Sequence, residues 1–370
     1  MSRTRVLLAS MLLLTLVAAG CGGEDENGSG PSGTTGTEMP SEVGTTEPEP
    51  EEEATTDDNA NDAGEADDGT DGDGGGDDDT SETGTFPRTV TDALGEVEVA
   101  EAPMRVVALD QSLIDVAFVL GLEVIGHTTF MDPDGPIPDL YGDAVDELAS
   151  ASIWVGDLGA PNLELIALAQ PDMIITSAVR HERIADQLSQ IAPTVMTESA
   201  GAGWKESLRL IGEATGRESV ADAALAEYET RAAAVGAAIN AAHDDPTLSV
   251  VRFVDVIRLY QPPSFSGTVL ADAGIARPES QQDPDEFILV ISEEELPLAD
   301  ADWLVYAVFP NEDVEAAVGE ALRSPLWTTL SVVENERTFR VGDDRWMSGV
   351  GLFGANAILD DLEEIFSVDG

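Results

Sequence analysis

The chain has 370 residues, with 73 acidic against 17 basic side chains and a formal net charge of −56. That balance excludes nucleic acid as a partner, because phosphate binding needs a basic surface. The length exceeds one average core, so two lobes are expected, and a single cysteine excludes internal disulfides.

Residues 1–20 read as a removable leader: Arg3 and Arg5 precede an apolar run at 6–17, too short for a membrane span, and Ala18-Ala19-Gly20 gives a small-residue cleavage site. Cys21 directly after that site resembles a bacterial lipoprotein lipobox. The resemblance implies cleavage before Cys21, lipidation of its thiol, and a protein anchored on the outer side of the cell membrane. Residues 21–85 hold Gly, Ser, Thr, Pro, Asp and Glu with almost no large apolar side chain, which predicts an acidic disordered tether. Its flexible-chain span is about 45 Å. Of the charged residues, 22 acidic and 2 basic precede Phe86, which leaves about −36 on the folded part. With Lys205 as the only lysine, that surface reads as suited to high salt, where self-repulsion is screened; a merely acidic surface is the alternative.

The folded part divides into an N-terminal lobe at 86–203, a connecting helical segment at 204–245 and a C-terminal lobe at 246–370. Residues 87–99 alternate apolar and polar around Asp92 and Gly95, predicting a hairpin. A strand at 106–109, a polar turn at 110–112, a helix ending at Gly121 and a strand at 123–126 then make a strand-helix-strand unit, hence a parallel sheet. Ligands of such sheets gather at strand carboxyl ends, where Gln111, Ser112 and the 132–138 loop fall. Further on come a short helix, a buried strand at 173–176, a strand-end loop with Arg180 and His181, and a helix end and last strand within LSQIAPTVMT.

A short helix closed by Gly216 leads into a long helix at 218–242, started by a capping-box-like Ser219/Asp222 pair and stopped by Asp244-Asp245-Pro246. Its predicted buried stripe is Val220, Ala224, Tyr228, Ala232, Val235 and Ile239. The pattern then begins again, with a strand at 249–254, a Pro-rich loop and a helix at 266–273. Glu164 stands eight residues before Asp172, and Glu294 eight before Asp302, each Asp one residue ahead of a strand. The folded part thus reads as two related α/β lobes joined by one helix.

The segments FPRTVTDALGEVEV, APMRVVALDQSLIDVAFVLG, NLELIALAQPDMII, LSQIAPTV, SFSGTVLADAGIARP, SPLWTTLSVV and DDRWMSG, in this order behind a lipobox, carry a resemblance covering nearly all of residues 86–368. The chain resembles the solute-binding lipoproteins of iron-siderophore ABC importers, the helical-backbone class that includes cobalamin- and haem-binding members. That resemblance implies an α/β fold of two Rossmann-like lobes on one rigid interdomain helix, as in class III periplasmic binding proteins. It implies a monomer without cofactor or catalytic residues, which takes a ferric siderophore between its lobes and presents it to permease subunits. Cobalamin or haem is the alternative cargo.

Bulky anionic chelates require arginines for bidentate hydrogen bonds and aromatic faces for packing. Arg180 ends a strand in the first lobe, while Arg252 and Arg258 flank the matching loop in the second. Arg252 lies in an otherwise buried strand, so it requires a carboxylate such as Asp255 or a ligand. Tyr260 and Phe265 are ligand contacts or loop anchors, and Trp154 and Trp346 ligand contacts or core. His181 touches ligand, opens an iron site, or is a solvated helix-start residue. Arg345 and Trp346 stand in a loop resembling the family's cleft wall. Glu164 and Glu294 match the family's lobe-tip glutamates that pair with the permease, with Glu293 or Glu295 as substitutes for Glu294. A bound-metal site is not expected, since only His127, His181 and His243 are present and none are close in sequence. No Gly-x-Ser-x-Gly turn is present and no Gly-x-Gly-x-x-Gly follows the first strand, which argues against a serine hydrolase or a nucleotide-dependent enzyme.

Overall fold

A computed structural model describes residues 84–129, 136–199, 201 and 203–368. The leader, Cys21, nearly all of the tether and most of the 132–138 loop lie outside the described residues.

The first lobe opens with a hairpin of β1 (Arg88–Asp92) and β2 (Gly95–Val99). Then come β3 (Arg105–Ala108), α1 (Gln111–Val119), β4 (Glu123–His127), β5 (Ile153–Trp154), α2 (Leu163–Ala169), β6 (Met173–Ser177), α3 (Ala178–His181) and β7 (Thr194–Thr197). The strands form one parallel sheet in the order β5-β4-β3-β6-β7. β3 and β6 are buried almost throughout, as strands covered on both faces must be.

Helices α4 (Trp204–Thr215) and α5 (Glu218–His243) connect the lobes. Gly216, at φ +70°, reverses the chain between them. The helix begins at Glu218, so Ser219 sits inside its first turn and does not cap it; the cap position is Arg217, without a side-chain hydrogen bond. Asp244 and Asp245 are left-handed ahead of Pro246 and end it. The buried stripe is Ala221, Leu225, Tyr228, Ala232, Val235, Gly236 and Ile239. The expected Val220 and Ala224 are displaced by one residue. Three successive four-residue steps rotate about 120° at 3.6 residues per turn, which carries Val220 off the face that buries Ala232.

The second lobe holds β8 (Leu248–Phe253), β9 (Ile257–Tyr260), α6 (Phe265–Asp272), β10 (Ile288–Ile291), β11 (Trp303–Val308), α7 (Glu312–Ala321), β12 (Thr338–Arg340), α8 (Asp343–Trp346) and α9 (Leu352–Phe366). Its sheet runs β10-β9-β8-β11-β12, with β9 antiparallel to both neighbours. The stretch expected as a Pro-rich loop therefore contains a strand, β9, whose four residues are too few for a period-2 signal.

The lobes correspond at one telling point. Asp172, just before β6, accepts from the backbone N–H of Met104 and Arg105 at the start of β3, at 3.1 and 2.9 Å. Asp302, just before β11, accepts from Thr247 N–H at the start of β8, at 2.9 Å. One carboxylate thus clasps the central parallel pair in each sheet.

Outer clusters back each sheet, around Ile166 and Ile174 in the first lobe and Leu296 and Trp327 in the second. Between them lies one continuous core that includes Leu113 and Phe118 of α1, Tyr228 and Val235 of α5, Val250 of β8, Phe265 of α6 and Ile358 of α9. Contact is closest at Gly236, where a Cβ would lie 1.6 Å from the Ala273 carbonyl oxygen. No described helix is long and apolar enough to cross a membrane.

Candidate ligand-binding site

Between the lobes lies a cavity of about 220 Å³. Asp110, Gln111, Leu158 and Arg180 line it from the first lobe, and Arg252, Arg258, Tyr260 and Phe287 from the second. The loop between α8 and α9 adds Met347, Ser348 and Val350.

On the first-lobe side, the chain turns from β3 into α1 through Asp110, whose Oδ1 caps the helix by accepting from Ser112 N–H (3.1 Å) and Oγ–H (2.9 Å). Its Oδ2 accepts from Arg180 Nε at 3.3 Å, and the two Nη groups of that guanidinium have no hydrogen-bond partner among the described residues. Gln111 Oε1 is buried without a partner among the described residues.

On the second-lobe side, Arg252 is buried and held by a bidentate pair with Asp343: Nε to Oδ1 at 2.6 Å and Nη2 to Oδ2 at 2.8 Å. Its Nη1 donates to Tyr260 Oη at 3.1 Å. Burial pushes the Asp343 carboxyl up, opposed by the Arg252 guanidinium. Arg258 stands directly opposite Arg252 in the β8/β9 register. Like charges so placed destabilise a sheet, and Asp255 offers little compensation: it is 3.8 Å from Arg258 and almost fully exposed. A second groove, about 590 Å³, shares Arg252 and Arg258 with the cavity and extends past Phe309 and Val314. Three guanidiniums from two lobes thus face one space, two of them side by side.

Residues 106–344 match the periplasmic binding protein family. The chain belongs to this family. It is 32% identical over 290 residues to the probable siderophore-binding lipoprotein YfiY of Bacillus subtilis, covering 75% of this chain and 87% of that one. It is 30% identical to the achromobactin-binding periplasmic protein of Dickeya dadantii, covering 75% and 92%. Among solved structures, Staphylococcus aureus SirA complexed with staphyloferrin B is similar, with a TM-score of 0.69 and 30% identity, covering 76% of this chain and 99% of that one.

In this periplasmic binding protein, Gln111, Arg180, Arg252, Arg258 and Tyr260 of the predicted set meet at the cavity. Others are placed elsewhere. His181 is neither solvated nor turned to the cleft: Nε2–H donates to the Leu158 carbonyl at 2.9 Å and Nδ1 accepts from Thr176 Oγ1 at 2.6 Å. Burial pushes its pKa down, so it braces the cleft wall as a neutral ring. Phe265 is buried edge-on against Trp204, a core anchor. Trp346 is fully buried and donates Nε1–H to Asp361 at 2.8 Å, and Arg345 pairs with the same carboxylate at 2.9 Å. The late loop does wall the cavity, but through Met347, Ser348 and Val350 just beyond them. Ser112 turns its hydroxyl to Asp110, and Trp154, half-buried on β5, does not line the cavity.

Glu164 and Glu294 are exposed, in the first turns of α2 and of the 3-10 helix Glu293–Ala299. Glu295 is committed to a capping box with Ser292, so Glu293 and Glu294 are the freer acids. Asp343, Phe287 and Leu158 were not anticipated. Asp343 sits within the quoted DDRW run, but no local pattern ties it to a strand 91 residues earlier.

Proposed function

We propose that this chain captures a ferric siderophore between its lobes outside the cell and delivers it to an ABC importer. The single observation that carries this reading is the convergence of Arg180, Arg252 and Arg258 on one cavity, in a chain with a formal charge of −56. Anionic chelating groups suit such a site, because an open guanidinium edge offers a planar fork for two oxygens. Arg252, its fork held and its charge balanced by Asp343 and its last nitrogen on Tyr260, supplies a fixed polar wall. Arg180 and Arg258, each held by one weaker contact, can turn toward the ligand. Phe287, Met347 and Val350 provide apolar contact around the charged groups. Ligands named for the relatives, achromobactin and staphyloferrin B, support the same reading.

In this reading no bond is made or broken by the chain, and ATP hydrolysis belongs to another subunit. Iron is cargo, enclosed by its chelator. The lipid on Cys21 tethers the protein to the membrane, and Glu164 and Glu294, one on each lobe, engage the permease.

The deciding experiment titrates the chain lacking residues 1–21 with a panel of ferric siderophores, cobalamin and haem, followed by calorimetry and tryptophan fluorescence. Submicromolar binding of one ferric chelate is the expected result. Binding of cobalamin or haem alone, or of nothing in the panel, would overturn the iron assignment.

A further inference from the structure

Glu164 and Glu294 are each followed, four residues on, by an exposed leucine. Leu168, on α2, is 73% exposed, and Leu298, in the 3-10 helix Glu293–Ala299, is 42% exposed. Neither belongs to the hydrophobic clusters that back the two sheets. Between each glutamate and its leucine stands a fully buried anchor, Ile166 in the first lobe and Leu296 in the second. Each short helix is thereby pinned to its lobe with a carboxylate and an isobutyl group left outside, and on α2 the four-residue spacing sets the two side by side. Both mounts are also tied by hydrogen bonds. Asn162 Oδ1 caps α2, accepting from Glu164 N–H at 3.0 Å and Leu165 N–H at 3.1 Å. In the second lobe the Leu298 carbonyl accepts from Ser280 Oγ–H, and the Asp300 carboxylate accepts from Ser331 N–H and Val332 N–H, each at 3.0 Å.

A single exposed leucine is ordinary on a protein surface. Helix propensity accounts for Leu168, but Leu298 follows Pro297 in a 3-10 turn, where that preference has no force. Recurrence at one offset in both lobes calls for a common cause. We propose that Leu168 and Leu298 are the apolar half of a two-point docking surface for the permease, each entering an apolar pocket beside the cation that pairs with its glutamate. Charge selects such a partner: a wholly apolar surface would leave the glutamates unpaired, and a second copy of this acidic chain would bring like charges together. Two equivalent patches on two related lobes fit a partner that offers the same pocket twice, as a pair of like permease subunits does. This inference rests on the reading of Glu164 and Glu294 as permease contacts and divides the work within it. The glutamates speed the encounter in a salt-dependent way, and the leucines set how long the complex holds.

The test puts a photocrosslinking amino acid in place of Glu164, Leu168, Glu294 or Leu298, one at a time, in the full chain within cells that make it and its importer. Leu94, exposed in the turn between β1 and β2, is the control. Mass spectrometry should identify a multispanning permease subunit captured from all four positions and not from Leu94. Leu168→Gln and Leu298→Gln, both at exposed positions, should each weaken binding of the full chain to that purified permease about tenfold, through faster dissociation. Glu164→Gln should instead slow association and flatten its salt dependence. Capture from the glutamate positions alone, or permease affinity that both leucine variants leave unchanged, would overturn the role of the leucines while keeping glutamate docking. Capture of only a second copy of this chain, or of nothing from any of the four positions, would overturn both.

Discussion

Removing Arg252 would strand Asp343 as a buried, unpaired carboxylate, and removing Asp343 would strand the guanidinium. Either single change, Arg252→Ala or Asp343→Ala, is expected to cost about 3–5 kcal/mol in urea unfolding. The double replacement Arg252→Met with Asp343→Leu should recover most of that loss, since apolar pairs of similar volume replace buried ion pairs with little cost, yet ligand affinity should not return. Arg258 behaves oppositely, because its neighbour on β8 is another arginine. Arg258→Ala should change stability by no more than about 0.5 kcal/mol. It should weaken ligand binding about 10- to 150-fold in calorimetry, the range for a lost hydrogen bond to a charged group. The sequence made these arginines visible through their scarcity and their place at strand ends. It could not reveal which was neutralised, because Asp255, close in sequence, points to solvent while the distant Asp343 folds back onto β8.

Asp115 joins two elements that sequence reading keeps apart. It lies on α1 of the first lobe, fully buried, and accepts from Leu352 N–H (2.7 Å) and Phe353 N–H (3.0 Å) at the start of α9. Gly351 makes the approach possible: at φ +144°, its Cβ would lie 2.2 Å from the Asp115 carboxyl carbon. Burial pushes the Asp115 carboxyl up to about 7, against the pull of the backbone amides. The folded state therefore holds a proton that the unfolded chain has already released. Its contribution to stability is present at acid pH and is lost as pH rises toward about 7, by up to about 1.4 kcal/mol per pH unit. Urea unfolding between pH 5 and 8 should show this slope in the wild type and a flatter one in Asp115→Asn. Burial raises Asp343 and Asp361 in the same direction, so the slope should shrink rather than vanish. At this scale most elements were legible, since unbroken apolar runs mark the buried strands β3 and β6 and a 26-residue helix carries strong periodicity. β9 was not. It is four residues long, and its strand character comes from pairing with β8 and β10.

For the whole molecule, the two lobes repeat the same clasp and each carries an exposed glutamate at a matching position. Glu164→Ala and Glu294→Ala should leave solution binding of the chelate unchanged while lowering uptake by cells. A loss of binding in calorimetry would remove both from the docking role. The long-range plan of two α/β units on one helix was readable because the Glu-to-Asp spacing recurs, whereas the shared core was not, since it depends on α9 returning to both lobes. That core has a kinetic consequence. Prising the lobes far apart would split one continuous apolar interior, at about 25 cal/mol for each Å² exposed, so spontaneous wide opening should be rare. Residence time would then be set by how quickly the arginines let go, and quick discharge of the cargo would need work done on the protein from outside.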